Sequence, residues 1–215
     1  TITVSTPITI YDIQYTEVQG EYCYETPMAG ETVTTSGIVT AIKPGDYPNF
    51  YLSDPELDEW GGIYVYDTSV SPQIGDEITL SAVVNEYYSM TQLIDVISFS
   101  SEFSGSAPTP VSISTGDLGI DCSLEGEAYE GMLVQINDVT VGDVDEFGNW
   151  YVNDGSGQVI VDDYIFDGEW PTVSNGDTYG AITGVVEYSY NEFKILPRVA
   201  VDICTAGCGD DECSA

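Results

Sequence analysis

The sequence predicts an all-β protein: two tandem five-stranded β-barrel domains, preceded by an extra N-terminal strand and closed by a cysteine-rich C-terminal tail. Three observations carry that reading. The segment NFYLSDPELDEWGGIYVYD at 49–67 is written again about 100 residues later as NWYVNDGSGQVIVDD at 149–163, so the chain holds two copies of one β unit. The match continues on both sides: Ala29-Gly30-Glu31-Thr32-Val33 faces Glu130-Gly131-Met132-Leu133-Val134, and Val83-Val84-Asn85-Glu86-Tyr87-Tyr88 faces Gly184-Val185-Val186-Glu187-Tyr188-Ser189. The composition, with 16 Tyr and many Thr and Val, is that of strands rather than helices.

In chain order, residues 1–13 (TITVSTPITIYDI) alternate Thr or Ser with Ile or Val around Pro7, the period of a half-buried strand. Such a strand either pairs at the edge of its own sheet or adds to a neighbour's sheet. In the second case Thr1, Ile2, Thr3, Val4, Ile8 and Ile10 are the subunit contacts. The first barrel domain spans 14–100 and opens on a loop with Cys23 and Pro27. Its strands are read at 32–42, with Gly37 as a bulge or coiling point, then at 49–53, 62–66, 78–86 and 90–99, all antiparallel and separated by Gly, Pro and Asp turns. Residues 101–110, rich in Ser, Pro and Gly without periodicity, form the linker. The second barrel domain spans 111–203 with five strands again, and the tail is 204–215.

The charge is extreme. Against 37 acidic residues stand only Lys43, Lys194 and Arg198, with no histidine, for a formal charge of −34. Phosphate binding draws its affinity from Lys and Arg displacing counterions, so the expectation is no nucleic acid and no anionic membrane as partner. A solvated acidic surface suited to salt is the simplest meaning of such a balance. Five cysteines, at 23, 122, 204, 208 and 213, lack CxxC spacing and histidine partners, so disulfides are expected rather than zinc. That places the protein outside a reducing cytosol. A start at Thr1 without an initiator Met is read as a mature secreted product. Five being odd, at most two intrachain bridges form. The expected pattern pairs Cys23 and Cys122, early in each repeat, with tail cysteines or links a tail to the next subunit.

The strand phrases have a resemblance. Ile10, Ile13 and Gln14, then Gly30, Val33, Gly37 and Val39, then Phe50, Tyr51, Leu52 and Asp54, then Gly62, Ile63 and Val65, then Gly75, Asp76, Val84, Glu86, Tyr87, Thr91 and Gln92 follow one pattern. It resembles the OB-like domain that precedes the catalytic domain in secreted bacterial nucleases. The likeness covers the first half well and the second half more loosely. It implies two tandem OB-like five-stranded barrels. The metal-dependent nuclease domain and its catalytic histidines have no counterpart in a chain without His, so nuclease activity is not implied.

Few constellations carry chemistry. No histidine means no Ser-His-Asp or Cys-His set, and neither lysine sits in a phosphate-binding glycine loop. Paired carboxylates suffice for glycoside hydrolysis, but 37 carboxylates supply such pairs by chance. Glu86 and Glu187, at matching repeat positions, are read as a strand-end feature. No cofactor is implied beyond calcium, for which Asp143, Asp145 and Asp154 are the candidate ligands, with the acidic loops 54–59 and 210–212 beside them. Tyr51, Trp60, Tyr64, Tyr66, Trp150 and Tyr151 either fill cores and interfaces or form a sugar-stacking platform, making polysaccharide a candidate partner. The function expected is non-enzymatic: a secreted structural subunit of an extracellular filament or matrix, assembled through strand or disulfide contacts. The alternative is an extracellular polysaccharide- or calcium-binding accessory module.

Overall fold

The computed structural model describes residues 7–45, 49–103 and 105–205. Barrel 1 begins with a short helix, α1 (Ile10–Gln14), followed by β1 (Thr32–Ile42), β2 (Phe50–Ser53), β3 (Gly62–Tyr66), β4 (Asp76–Tyr87) and β5 (Met90–Phe103). The strands close in the order β1-β2-β3-β5-β4. All neighbours are antiparallel except β3 and β5, which run parallel with Tyr64 opposite Gln92. This is the OB topology.

The helix corrects the sequence reading of an extended strand from residue 10 onward; residues 1–6 of that reading lie outside the described residues. Thr9 and Asp12 form a capping box: the Asp12 N–H donates to Thr9 Oγ1 at 3.1 Å, and the Thr9 N–H donates to Asp12 Oδ2 at 3.0 Å. Both boxed donors are thereby satisfied, and Ile10 and Ile13, three apart, face the barrel interior with no exposure. Ile10 is therefore core rather than a subunit contact. Ile8 is half-buried, with its N–H donating to the Thr34 carbonyl at 2.9 Å. Thr1, Ile2, Thr3 and Val4 lie outside the described residues. The bulge falls at Thr40, where the β1–β2 register slips between Val39 and Ala41, and not at Gly37. Gly37 serves the helix instead: a Cβ there would sit 3.0 Å from Ile10 Cδ1 and 3.1 Å from the Ser53 carbonyl.

Barrel 2 comprises β6 (Val111–Ser112), α2 (Thr115–Leu118), α3 (Leu124–Glu127), β7 (Leu133–Val144), β8 (Trp150–Asn153), β9 (Gln158–Val161), β10 (Thr178–Ser189), β11 (Glu192–Leu196) and β12 (Ile203–Thr205). Here β7-β8-β9-β11-β10 closes through β10–β7 pairing, with β9 and β11 parallel, repeating barrel 1 strand for strand. Where β5 runs unbroken along β4, barrel 2 divides the same role between β11 and β12, both pairing with β10. Since β5 extends to Phe103, strand structure reaches into the span read as linker.

Each barrel holds its own core. Barrel 1 is filled by Phe50, Leu52, Ile63, Ile78, Leu80 and Leu93 with Ile10 and Ile13, and barrel 2 by Trp150, Tyr188, Phe193, Val152 and Ile182. Among the described residues no helix is long and apolar enough to cross a membrane.

The two copies also fix the register of the repeat. The hairpin turns Tyr88-Ser89 and Tyr190-Asn191 both take positive φ and join Tyr87 to Met90 and Ser189 to Glu192. Glu86 thus occupies the place of Tyr188, and Glu187 that of Asn85. The sequence match of Glu86 with Glu187 is one residue out of register, and one residue moves a side chain to the opposite face of a strand.

Candidate functional site at the junction of the barrels

The surface that OB folds use for ligands lies over strands 2 and 3. In barrel 1 that surface is taken. Tyr51 of β2 and Tyr64 of β3, with Ala41 and Met90, pack against Leu133, Ile165, Val185 and Leu196 of barrel 2 as one buried cluster. Tyr51 is fully buried, and its hydroxyl donates to Glu187 Oε2 at 2.9 Å across the junction.

Further bonds cross beside it. Gln14 Nε2 donates to the Gly62 carbonyl at 2.6 Å and lies 3.5 Å from that of Glu130. The Trp60 N–H donates to the Ala128 carbonyl at 2.6 Å, and Arg198 Nη1 donates to the Thr40 carbonyl at 2.9 Å. Lys43 Nζ donates to the Tyr164 hydroxyl at 2.7 Å.

The backbones themselves touch. A Cβ on Gly62 would fall 2.2 Å from Gly131 C and Met132 N, so glycine is required for this approach.

A disulfide bolts the junction covalently: Cys23 pairs with Cys122 across 5.3 Å between Cα atoms. This corrects the expected pattern, in which each would pair with the tail. The loop before β1 and the turn before α3 meet because the barrels pack with their entry loops together. Cys204 is also disulfide-bonded. Cys208 and Cys213 lie outside the described residues.

Behind the disulfide lies a group of buried carboxyls that the sequence reading passed over. Thr91 sits between two of them: its N–H donates to Glu130 Oε1 at 2.9 Å and its hydroxyl to Glu86 Oε1 at 2.7 Å. Glu127 is the third, and Glu86, Glu127 and Glu130 each keep a buried Oε2 with no partner. Burial pushes the Glu86 carboxyl up to about 7, outweighing the hydrogen bonds from Thr91 and Thr26. Burial, reinforced by the neighbouring carboxyls, holds Glu127 and Glu130 further above the ordinary range. The cations are engaged elsewhere: Lys194 with Asp162 at 3.1 Å, Arg198 with Asp202 at 2.6 Å, and Lys43 over the Tyr164 ring. Protons are what the chain itself has to neutralise this group.

The residues singled out from sequence fare differently. Asp143, Asp145 and Asp154 do not converge on a cation. Asp143 accepts from Val144 N–H at 2.9 Å; Asp145 accepts from the N–H groups of Phe147 and Asn149 and from the Asn149 amide. Asp154 accepts from Thr115 and Ser156, tying the β8–β9 turn to α2. For Asp145 and Asp154, burial favours the neutral form but these hydrogen bonds outweigh it and hold both below the usual range. They are turn residues with their lone pairs in use. Among the described residues no group of three or more Asp, Glu, His or Cys is arranged to hold a metal ion. Loop 54–59 lines a cleft of about 490 Å³ beside Pro108 and Tyr129, and 210–212 lies outside the described residues.

The sugar platform is likewise dispersed. Tyr51, Trp60, Tyr64 and Trp150 are buried, Tyr151 is half-buried, and Tyr66 alone of the six is exposed. The sequence holds only a trace of the buried carboxyl group: Glu130 stands where barrel 1 has Ala29, beside the repeated glycine, but one acid among 37 does not stand out.

Fold and junction together define a tandem OB-like protein. No family model matches the chain and no curated protein matches it. Solved structures similar to it include the tetrameric p202 HIN2, at 10% identity and TM-score 0.36 over 80% of this chain and 93% of that one. They also include fission yeast Pot1 with ssDNA, at 15% identity and TM-score 0.33 over 100% of this chain and 88% of that one. The exclusion of nucleic acid drawn from charge is corrected on this point: the Pot1 structure contains single-stranded DNA, so the exclusion is withdrawn. At this level of similarity no ligand transfers to the present chain.

Proposed function

We propose that this chain is a non-catalytic subunit of an extracellular filament or matrix, related in descent to the OB-like domains of secreted nucleases. The observation that carries the reading is the junction. The strand 2–3 face of barrel 1, the usual ligand surface of the fold, is spent on Tyr51 and Tyr64 packing against barrel 2, and the Cys23–Cys122 bridge fixes the two barrels as one body. A rigid body that gives up a binding face for internal packing suits load bearing. The disulfide supports an oxidising compartment.

An assembly edge supports the same reading. Residues 98–103 of β5 pair with β4 on one side, Ile97 stands at the register shift just before them, and β3 reaches only Ile94 on the other side, so among the described residues that stretch of edge has no strand beside it. Ile97 and Phe103 are 66% and 68% exposed along it. Open apolar edges accept further strands. The uncharged, alternating sequence of residues 1–6 is a suitable strand for a neighbouring copy to contribute. Heterologous contacts of that kind extend without closing.

Substituting Ile97→Lys and Phe103→Lys together tests it. Both side chains are exposed, so melting temperature is expected to stay within a few degrees while sedimentable polymer is lost. Unchanged polymer from the double variant would contradict assembly through this edge.

A further inference from the structure

The turn of the β4–β5 hairpin and the disulfide-pinned loop enclose an open cleft of about 370 Å³. Its walls are tyrosines at mutual angles. Tyr22 and Tyr88 have ring centroids 5.3 Å apart and tilted by 58°, and Tyr87 meets Tyr88 edge-on at 4.8 Å. Its floor is acidic, with Glu25 and Glu86 lining it. The Ser89 hydroxyl donates to Glu25 Oε1 at 2.9 Å, while Glu86 Oε2 is buried without a partner. Glu127 and Glu130, each almost wholly buried, stand next to Glu86 and are held neutral by that burial, so they add no charge to the cleft.

The cleft is also preformed. Cys23 is bridged to Cys122, the Tyr188 hydroxyl donates to the Tyr22 carbonyl at 3.1 Å, and the Tyr22 N–H donates to Ser89 Oγ at 3.3 Å.

The second barrel shows what completes such a hairpin. Both lysines of the chain sit over tyrosine rings: Lys43 is 3.9 Å from the Tyr164 centroid and Lys194 is 5.3 Å from that of Tyr190. Tyr190 is the counterpart of Tyr88 in the matching turn. Lys194, opposite Glu187 and Ile160 in its barrel, corresponds to Gln92, opposite Asn85 and Tyr64. Barrel 1 thus presents the tyrosine faces and more carboxylate, and has an amide where barrel 2 supplies the ammonium.

We infer that the Tyr22–Tyr87–Tyr88 cleft is a binding site for an organic ammonium ion, with the cationic head against the ring faces and the charge balanced by Glu25 and Glu86. Ring faces attract cations through their quadrupole, and the attraction is strongest where the head is shed of water. The chain's own three cations are held elsewhere, so the ammonium comes from another molecule, as a free amine or as the side chain of a lysine-bearing partner.

The test is titration of the full-length protein, followed by amide chemical shifts, with tetramethylammonium and with n-butylammonium at ionic strength fixed with NaCl. The uncharged tert-butanol serves as the neutral comparison. Saturable binding is expected, with shifts confined to 19–26 and 86–91. Tyr88→Ala and Glu86→Gln should each weaken it about fivefold or more, and Tyr190→Ala should leave it unchanged. Preference for the primary or the methylated head would distinguish a lysine-like from a methylated ligand. Linear, unsaturated shifts spread over the acidic surface, or equal binding of tert-butanol, would overturn the inference. Both results are read on wild-type protein, so a variant that folds poorly does not decide the outcome.

Discussion

Replacing Gly62 by alanine is expected to destabilise the protein by about 4 kcal/mol, at the upper end of what single substitutions do, which for a chain of this size lowers the melting temperature by about 10 °C. The cause is geometric. A Cβ at Gly62 would stand 2.2 Å from the backbone of Gly131 and Met132, so two main chains must separate and not merely a flexible side chain. Separation also strains the bonds anchored nearby: Gln14 to the Gly62 carbonyl, Trp60 N–H to Ala128 and Thr91 N–H to Glu130. Gly142→Ala is the control, since its nearest contact is the end of the Gln158 side chain at 3.3 Å, and it should change stability by well under 1 kcal/mol, as at uncrowded sites. Thermal melting of both variants under oxidising conditions checks this.

Stability should also fall as pH rises from 6 to 9, opposite to the behaviour of proteins held by ionised carboxylates. The carboxyls of Glu86, Glu127 and Glu130 have raised pKa values in the folded state, so there the folded protein binds protons that the unfolded chain has released. Their contribution is complete below the ordinary carboxylate pKa near 4.5 and is lost as pH passes each folded value, about 7 for Glu86 and higher for the other two. For Glu86 the loss is on the order of 3 kcal/mol. Repulsion among surface carboxylates changes mainly below pH 6, where those groups titrate, and it is screened by salt. The window from 6 to 9, insensitive to salt, belongs to the buried group. Glu130→Gln keeps the shape and removes the ionisation. It is expected to stabilise the protein at pH 8 and flatten the slope, measured as denaturant midpoints across the pH range.

How much of this was legible in the sequence follows from which pattern each element wrote. Two barrels were readable because strand phrases such as NFYLSD and NWYVND repeat whole, and the barrel cores are the alternating residues of those phrases. Helix α1 was hidden because the chain through TITVSTPITI at 1–10 alternates like a strand right up to its first residue, and its Thr9-x-x-Asp12 box is only four residues long. The parallel β3–β5 pairing left no local trace, since parallel neighbours are joined by distant connections rather than by a turn.

The junction was the least legible part. Tyr51 and Tyr64 look the same in sequence whether they face a sugar, a core or the other barrel, and Glu127 and Glu130 are two acids among 37. Only the packing of one barrel on the other distinguishes them. The pairing of Cys23 with Cys122 belongs to the same class, because equivalent positions in two repeats meet only if the entry loops of the barrels face each other.

Electron microscopy of the native protein, with and without reductant, tests most directly whether this two-barrel body is a building unit, as proposed. The account predicts long uniform fibres, with the reductant showing whether disulfides lock them. Dispersed particles in both conditions would contradict it.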